Sequence, residues 1–403
     1  MPRHGGAQAV NMGGTAAAVL FILALLGFVA ETQLTQYVQT NLGFKQPYLI
    51  FYIVHSFFAV MFPVHFLYLS LTSKHTPRAI WNGLILGLRN RISPASPRPS
   101  SAFPIWRLLR LILLLTAGMS VPSLCWFAAI PLAPVTDVTA LWNTNAFWAY
   151  IVTVKLFGLN WEPRRLAAVL LATAGAMAVV YGGSITPEAP DSTDAGAADV
   201  SHYRPTSALA GSLLTLLAAI VYGVYQVLYK MYAALPTDPE ADLDGLDVPA
   251  PYEPVPDDII EQVQTIALSE QEDIVYPPPF ALYPNLLTSA IGVCTFLVMW
   301  IPMLILQLLG ISSFHLPLNL KTVLTLGGVA LSGATFNAGF MILLGLWGPI
   351  LTSIGGLLTI VFVFLSDIIF GGAVQTITFW SLLGCGSIVA AFSVLAYDMM
   401  QKG

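Results

Sequence analysis

Apolar residues run almost unbroken along most of the chain, interrupted by short turns and by three long polar stretches. Taken in order, the runs predict ten helices, over residues 14–38, 47–71, 106–131, 134–156, 163–183, 207–233, 279–309, 320–345, 349–370 and 375–397. Roughly 20 apolar residues in a helix cross the hydrocarbon core of a bilayer. Only Pro131 to Pro134 separates the third run from the fourth, and Gly345 to Pro349 the eighth from the ninth. Each double run is nevertheless long enough for two crossings. Backbone polar groups must be paired inside lipid, which helices achieve internally; the short alternating segments of a membrane barrel are absent. The pattern predicts an all-α polytopic membrane protein.

Composition strengthens that reading. The 403 residues are 56% hydrophobic and 9% charged, with a mean hydropathy of +0.75, whereas soluble domains carry about 25% charged residues. The first run is not expected to be a cleaved secretory signal. Only Arg3 precedes it, and Phe28 occupies the −3 position relative to Ala30, a poor small-residue cleavage site.

Charge then orients the chain. With ten spans, thirteen of the 16 Lys and Arg fall on the side that holds both termini, from Arg3 through Arg78, Arg89, Arg91, Arg107 and Arg110 to Lys402. The other side receives Lys45, Arg204 and Lys321. Positive charge marks the cytosolic face, so both termini are expected in the cytosol. The long stretches differ in kind. Residues 72–105 are basic and rich in Pro and Ser, suiting a flexible segment beside an anionic leaflet. Residues 184–205 are small and polar, a far-side connection. Residues 235–278 carry twelve acids and no Lys or Arg, the composition of a disordered linker, with partner docking as the alternative. Those acids account for the net charge of −5, which therefore says nothing about a transported solute. Cys125, Cys294 and Cys385 all lie within runs, giving neither a disulfide framework nor metal-ligand spacing.

An internal repeat is visible in lengths and breaks more than in letters. Pro134 to Tyr181 and Pro349 to Tyr397 each begin with Pro and small hydroxyl residues, run one span, break at Gly, and run a second span to a Tyr. The halves, residues 1–205 and 206–403, are offset by five spans. That odd number gives the two copies opposite orientations, the inverted five-helix repeats of many secondary transporters, whose solute site lies at mid-membrane.

Several stretches make a resemblance specific: ETQLTQYVQ followed by KQPYLIFYIVHS, then PVTDVTALWNTNAFWAYI, YGVYQVLYK and TSIGGLLTIVFVFLSDIIFGG. In their order along the chain they resemble the drug/metabolite transporter superfamily (EamA-like). Within it they are similar to the F branch of the thirty-fifth solute-carrier family and its fungal relatives. The likeness covers nearly all spans and none of the three long loops. It implies a central cavity surrounded by the third, fourth, eighth and ninth spans, helped by the first and sixth. It also implies thiamine-like or nucleotide-sugar substrates, and a vacuolar or other endomembrane location, with the plasma membrane as the alternative.

The candidate site starts from GFVAETQLTQYVQT in the first span. Glu31, Thr35 and Gln39 fall at i, i+4 and i+8, with Thr32 and Gln36 beside them, while Leu34 and Val38 keep the opposite side apolar. A carboxylate in lipid at mid-helix costs about 2.5–3.5 kcal/mol or more, so the stripe is expected to face a wet cavity; contact with interfacial water or with bundle neighbours is the alternative. Asn143, Asn145 and Asn337 are each read as cavity contacts or interhelical hydrogen bonds. Tyr222, Gln226 and Tyr229 share a face of the sixth span, and Trp126, Trp142, Tyr222 and Tyr225 are available to stack on a ring or meet a cation. Asp137 reads as a helix cap, Asp367 and Asp398 as solvated, and Lys230 as reaching the interface.

No Lys or Arg lies deep in a span, and a polyanionic solute needs cationic partners. The expected function is therefore secondary transport of a small neutral or cationic organic solute by alternating access, with a coupled proton as an option. A nucleotide-sugar transporter of the same fold and a non-transporting receptor or scaffold are the alternatives. No nucleophile elbow, zinc cluster, phosphate loop or interfacial carboxylate pair points to an enzyme. No catalytic residue, metal or cofactor is expected, and no nucleic-acid partner; the chain is expected to work in a lipid bilayer as a monomer or homodimer.

Overall fold

A computed structural model describes residues 14–93, 103–133, 135–156, 158, 161–181, 205–235, 274–310, 312–371 and 378–402. Every regular element among them is helical: α1 (Gly14–Thr40), α2 (Pro47–Phe57), a single 3-10 turn (Phe58–Val60), α3 (Met61–Thr72), α4 (Pro77–Ile92), α5 (Ile105–Ala129), α6 (Val135–Asn143) and α7 (Asn145–Leu156). There follow α8 (Pro163–Tyr181), α9 (Pro205–Tyr232), α10 (Leu282–Val298), α11 (Trp300–Leu308), α12 (Leu320–Gly356), α13 (Leu358–Gly371) and α14 (Phe379–Lys402). The ends follow local chemistry. Proline occupies the first turn of α2 and of α4; Thr76 Oγ1 accepts from Ala79 N at 3.2 Å, and Asn319 Oδ1 from Lys321 N at 2.9 Å at the start of α12.

Seven helical stretches are long and apolar enough to cross a membrane: Gly14–Thr40, Pro47–Thr72, Ile105–Ala129, Ser207–Tyr232, Leu282–Leu308, Leu320–Gly356 and Phe379–Tyr397. They turn large apolar side chains outward. Leu113 and Leu114 on α5, Phe296 and Leu297 on α10, and Leu382 and Leu383 on α14 are all exposed, and α11 buries none of its residues. A surface so apolar suits lipid and not water. The protein is an α-helical, membrane-embedded chain.

Three of the ten expected spans are missing from those seven. The fourth, 134–156, is divided into α6 and α7. The fifth corresponds to the 19-residue α8. The ninth, 349–370, meets the eighth at a kink where expected: within α12 the backbone leaves the helical region at Gly348, at φ 76° and ψ 172°, so that two helices abut at Pro349, and a second break follows at Leu357. A positive φ is open to glycine at little cost, and the residue before a proline is held out of the helical region. Gly348 meets both conditions.

Two apolar cores form. One gathers α1, α2, α4, α5, α9, α10 and the first part of α12; the other joins the start of α1 to α7, α8, α13, α14 and the end of α12. The main pairings are α1 with α12, α8 with α14, α5 with α9, α6 and α7 with α9, and α2 and α3 with α10. Close approach of α1 and α12 depends on missing side chains, since a Cβ on Gly27 would lie 3.0 Å from Ser332 O and one on Gly339 2.9 Å from Ala24 Cβ.

The basic stretch 72–105 differs from the flexible segment expected of it. Residues 77–92 form α4, whose buried face carries Ile80, Leu84 and Leu88 at helical spacing, with Gly83 and Gly87 between them. Val275 N donates to Ala79 O at 3.1 Å, and Arg91 Nη2 donates to the Met231 carbonyl near the end of α9. Residues 94–102 of that stretch, 236–273 of the acidic stretch, and 184–204 of the far-side stretch lie outside the described residues, as do the side chains of Asp137, Asp367 and Asp398.

Candidate functional site

The polar stripe of α1 points into protein. Glu31, Thr32, Thr35 and Gln39 are all buried, because α12 covers that face along its length. Room for the carboxylate comes from Gly333 on α12, where a Cβ would fall 2.6 Å from Glu31 Oε1 and 2.8 Å from Val54 Cγ1. Beyond the carboxylate the stripe stays unsatisfied: Thr35 Oγ1 and both amide atoms of Gln39 are buried without a hydrogen-bond partner. Orphaned buried polar groups at successive turns are places where water is stabilised.

Glu31 opens into a cavity of about 30 Å³, room for about two water molecules. Phe28 and Glu31 come from α1, His55 from α2, Met119, Ser123, Trp126 and Phe127 from α5, Trp142 from α6, Tyr222 from α9, and Phe336 and Asn337 from α12. A second cavity of about 20 Å³ shares Phe28, Trp142, Tyr222 and Phe336 with the first. Its remaining wall is Asn143, Asn145, Phe340, Ser353, Gly356 and Thr359. With Trp126 the shared rings form an aromatic box. Trp142 stacks on Tyr222 at 4.8 Å between centroids, Phe28 tilts against Phe336 at 4.8 Å, and Trp126 lies 6.3 Å from Phe28 and 6.5 Å from Trp142.

The inner cavity sits where two helices break. Thr144 N donates to Leu141 O at 3.1 Å and Phe147 N to Thr144 O at 3.0 Å; Leu357 N donates to Ile354 O and Ile360 N to Leu357 O, both at 3.1 Å. Each break is therefore one residue with three-residue hydrogen bonds on either side, tighter than an α-helix. A threonine hydroxyl donates a further bond of 2.7 Å at each, from Thr144 Oγ1 itself to Leu141 O at the first and from Thr359 Oγ1 to Gly356 O at the second.

Of the residues expected at the site, Glu31, Trp126, Asn143, Asn145, Tyr222 and Asn337 line one cavity or the other. Asn145 serves both roles left open for it, because its Oδ1 also accepts from Gln226 Nε2 at 3.0 Å. Gln226 lines neither cavity. It ties α9 to α7 and, by accepting from Ser353 Oγ, to α12. Asn143 and Asn337 donate to carbonyls of their own helices, Thr139 O at 2.7 Å and Gly333 O at 2.8 Å. Thr35 is buried behind the cavity, and Gln36, half-buried, is not part of either wall. Lys230, half-buried near the end of α9, donates to the Gly345 carbonyl.

Two further residues of the first wall, His55 and Ser123, are not among those expected from the sequence. His55 is an ionisable residue inside an apolar span, and that alone marks it as a functional candidate. Its Nδ1 is 3.2 Å from Phe51 O and its Nε2 3.0 Å from Ser123 Oγ, which in turn donates to Met119 O at 2.8 Å.

No family model and no curated protein matches the chain. A solved crystal structure has a similar fold: the two are 13% identical, with a TM-score of 0.56 over 96% of this chain and 98% of the other. At that identity the likeness is one of fold.

Proposed function

We propose that the chain is a secondary transporter for a small organic cation carrying a flat ring, moved by alternating access through the Glu31 cavity. The observation that carries this reading is one buried carboxylate inside an aromatic box, with no Lys or Arg in either wall. A cation held over desolvated rings gains about 2 kcal/mol or more, and a carboxylate adds a charge-assisted hydrogen bond. A nucleotide sugar would meet the same wall with its phosphates unpaired, which speaks against that substrate class.

Supporting the ten-span, five-plus-five arrangement are the twin breaks at Thr144 and Leu357, which fall in the stretches that begin at Pro134 and Pro349. Pairing of helices supports it as well. Exchanging first-half spans for second-half ones turns the α1–α12 contact into the α9–α5 contact and leaves α8–α14 as itself. Interrupted helices from two inverted repeats, meeting at a mid-membrane site, are a recurring transporter device. Rocking of one half against the other would expose the cavity to each side in turn, with both termini cytosolic. The resemblance to the drug/metabolite transporters agrees, and points to thiamine-like solutes on an endomembrane.

Counterflow decides between carrier and receptor. Purified protein in proteoliposomes preloaded with thiamine is expected to concentrate labelled thiamine transiently, and Glu31→Gln to reduce the initial rate at least tenfold, about 1.4 kcal/mol. Saturable binding with no exchange, for thiamine and for a panel of aromatic amines, would make the protein a receptor.

A further inference from the structure

We infer that the groove between α5, α10 and the start of α3 binds one anionic phospholipid, with an acyl chain along the groove and the phosphate on Arg110. The groove shares no lining residue with the Glu31 cavity. Its volume is about 820 Å³, within the range of sites that take a whole small molecule. Leu113 on α5 and Leu297 on α10 line it and are exposed, so it opens sideways, towards lipid. The space arises where α10 is drawn against the 3-10 turn: a Cβ on Gly292 would lie 2.3 Å from Ala59 N. Ser289 fastens the same junction, its Oγ donating to Phe58 O at 3.0 Å and accepting from Phe62 N at 2.7 Å. Beside that junction only the small side chains of Ala59 and Ala290 fill in, and a trough is left. With the Ser289 hydroxyl engaged, the body of the groove offers a ligand apolar surface and the Cys294 thiol.

Polarity is confined to one end. Trp106, Arg110 and Leu113 fall at i, i+4 and i+7 on one face of α5, so the apolar trough finishes in a guanidinium and an indole. Arg110 is exposed and is the one charged residue among the described lining residues, where neither Asp nor Glu accompanies it. Among the described residues no hydrogen bond or ion pair takes it up. The basic stretch lies against the same end. Arg107 Nη1 donates to Ser93 Oγ, just past α4, at 3.2 Å, and Trp81 of α4 lies 6.2 Å between ring centroids from Phe62 in the groove wall. A guanidinium forks onto phosphate oxygens, basic side chains at a membrane surface attract anionic lipid, and an indole settles at headgroup level. Length agrees with one leaflet. The α10 side runs from Leu286 to Val298, about 18 Å of helix, against about 15 Å for half the hydrocarbon core. A helix from a second copy laid in the trough would cover Arg110 with no acid in the wall to pair it, which is costly; a lipid phosphate brings its own countercharge.

Native mass spectrometry of the purified full chain in detergent tests the site, with added dioleoyl phosphatidylserine or the zwitterionic phosphatidylcholine of the same chains. One phosphatidylserine is expected to be retained about fivefold more tightly than phosphatidylcholine, the weight of a single arginine at the headgroup. Arg110→Gln is expected to abolish that preference and Arg110→Lys to restore most of it; the side chain is exposed, so neither change disturbs packing. Ala290→Phe, which fills the trough, is expected to release both lipids. Equal retention of the two lipids, or a preference unchanged in Arg110→Gln, would overturn the inference. So would a dimer that Ala290→Phe converts to monomer with lipid retention unaltered, because a second copy would then occupy the groove.

Discussion

Single side chains decide what the cavity can hold, and Gly333 is the sharpest instance. Its missing Cβ is the space into which Glu31 Oε1 fits, between α1 and α12. Gly333→Ala is expected to destabilise the protein by about 1–3 kcal/mol through overpacking and to weaken thiamine binding. Gly327→Ala on the same helix has nothing within 4 Å of its Cβ and is expected to be neutral or slightly stabilising. Thermal unfolding of both variants in one detergent makes the comparison. Much of this scale was legible beforehand. The spacing of Glu31, Thr35 and Gln39 identified a buried polar face, because a charge in lipid has no other economical position. The His55 series was not, because nothing in the sequence indicates that Ser123 on α5 stands one hydrogen bond from a ring on α2.

Helical elements set the geometry of the breaks. The stops at Thr144 and Leu357 fall between Asn143 and Asn145 and after Gly355 and Gly356, residues of low helix propensity that read equally well as cavity-lining amides and close-packing glycines, so the interruptions were not legible as such. Gln226 holds the two broken elements to α9. Gln226→Leu would leave Asn145 Oδ1 and Ser353 Oγ without that partner, at a cost of about 1–3 kcal/mol, and is expected to lower thermal stability more than Ser353→Ala, which leaves the Asn145 bond intact. α4 shows the reverse failure. Its Pro- and Ser-rich surroundings read as flexible, yet Ile80, Leu84 and Leu88 form an apolar stripe that packs beneath Val275. A side chain on Gly83 would overlap the Val275 carbonyl, so Gly83→Ala is expected to speed hydrogen exchange at the Val275 amide, which bonds to Ala79 O.

At the scale of the molecule, the membrane class was the plainest message of the sequence, because low charge and long apolar runs leave no other solvent for the chain. Number and direction of crossings were less plain: α6, α7 and α13 are too short to be counted by length. The five-plus-five proposal makes a direct prediction. Cysteines introduced at Gly5 and at Gln401, in a background lacking the three native ones, are expected to react with a membrane-impermeant maleimide from the same side of sealed vesicles. Labelling from opposite sides would mean an odd number of crossings and end the inverted-repeat reading.

The aromatic box, with room for two waters, has a kinetic consequence. No ring-bearing cargo fits until Trp142 parts from Tyr222, so arrival must wait on an opening event or force one. Stopped-flow traces of indole emission should then level off to a ceiling rate as thiamine is raised, instead of climbing in proportion to it.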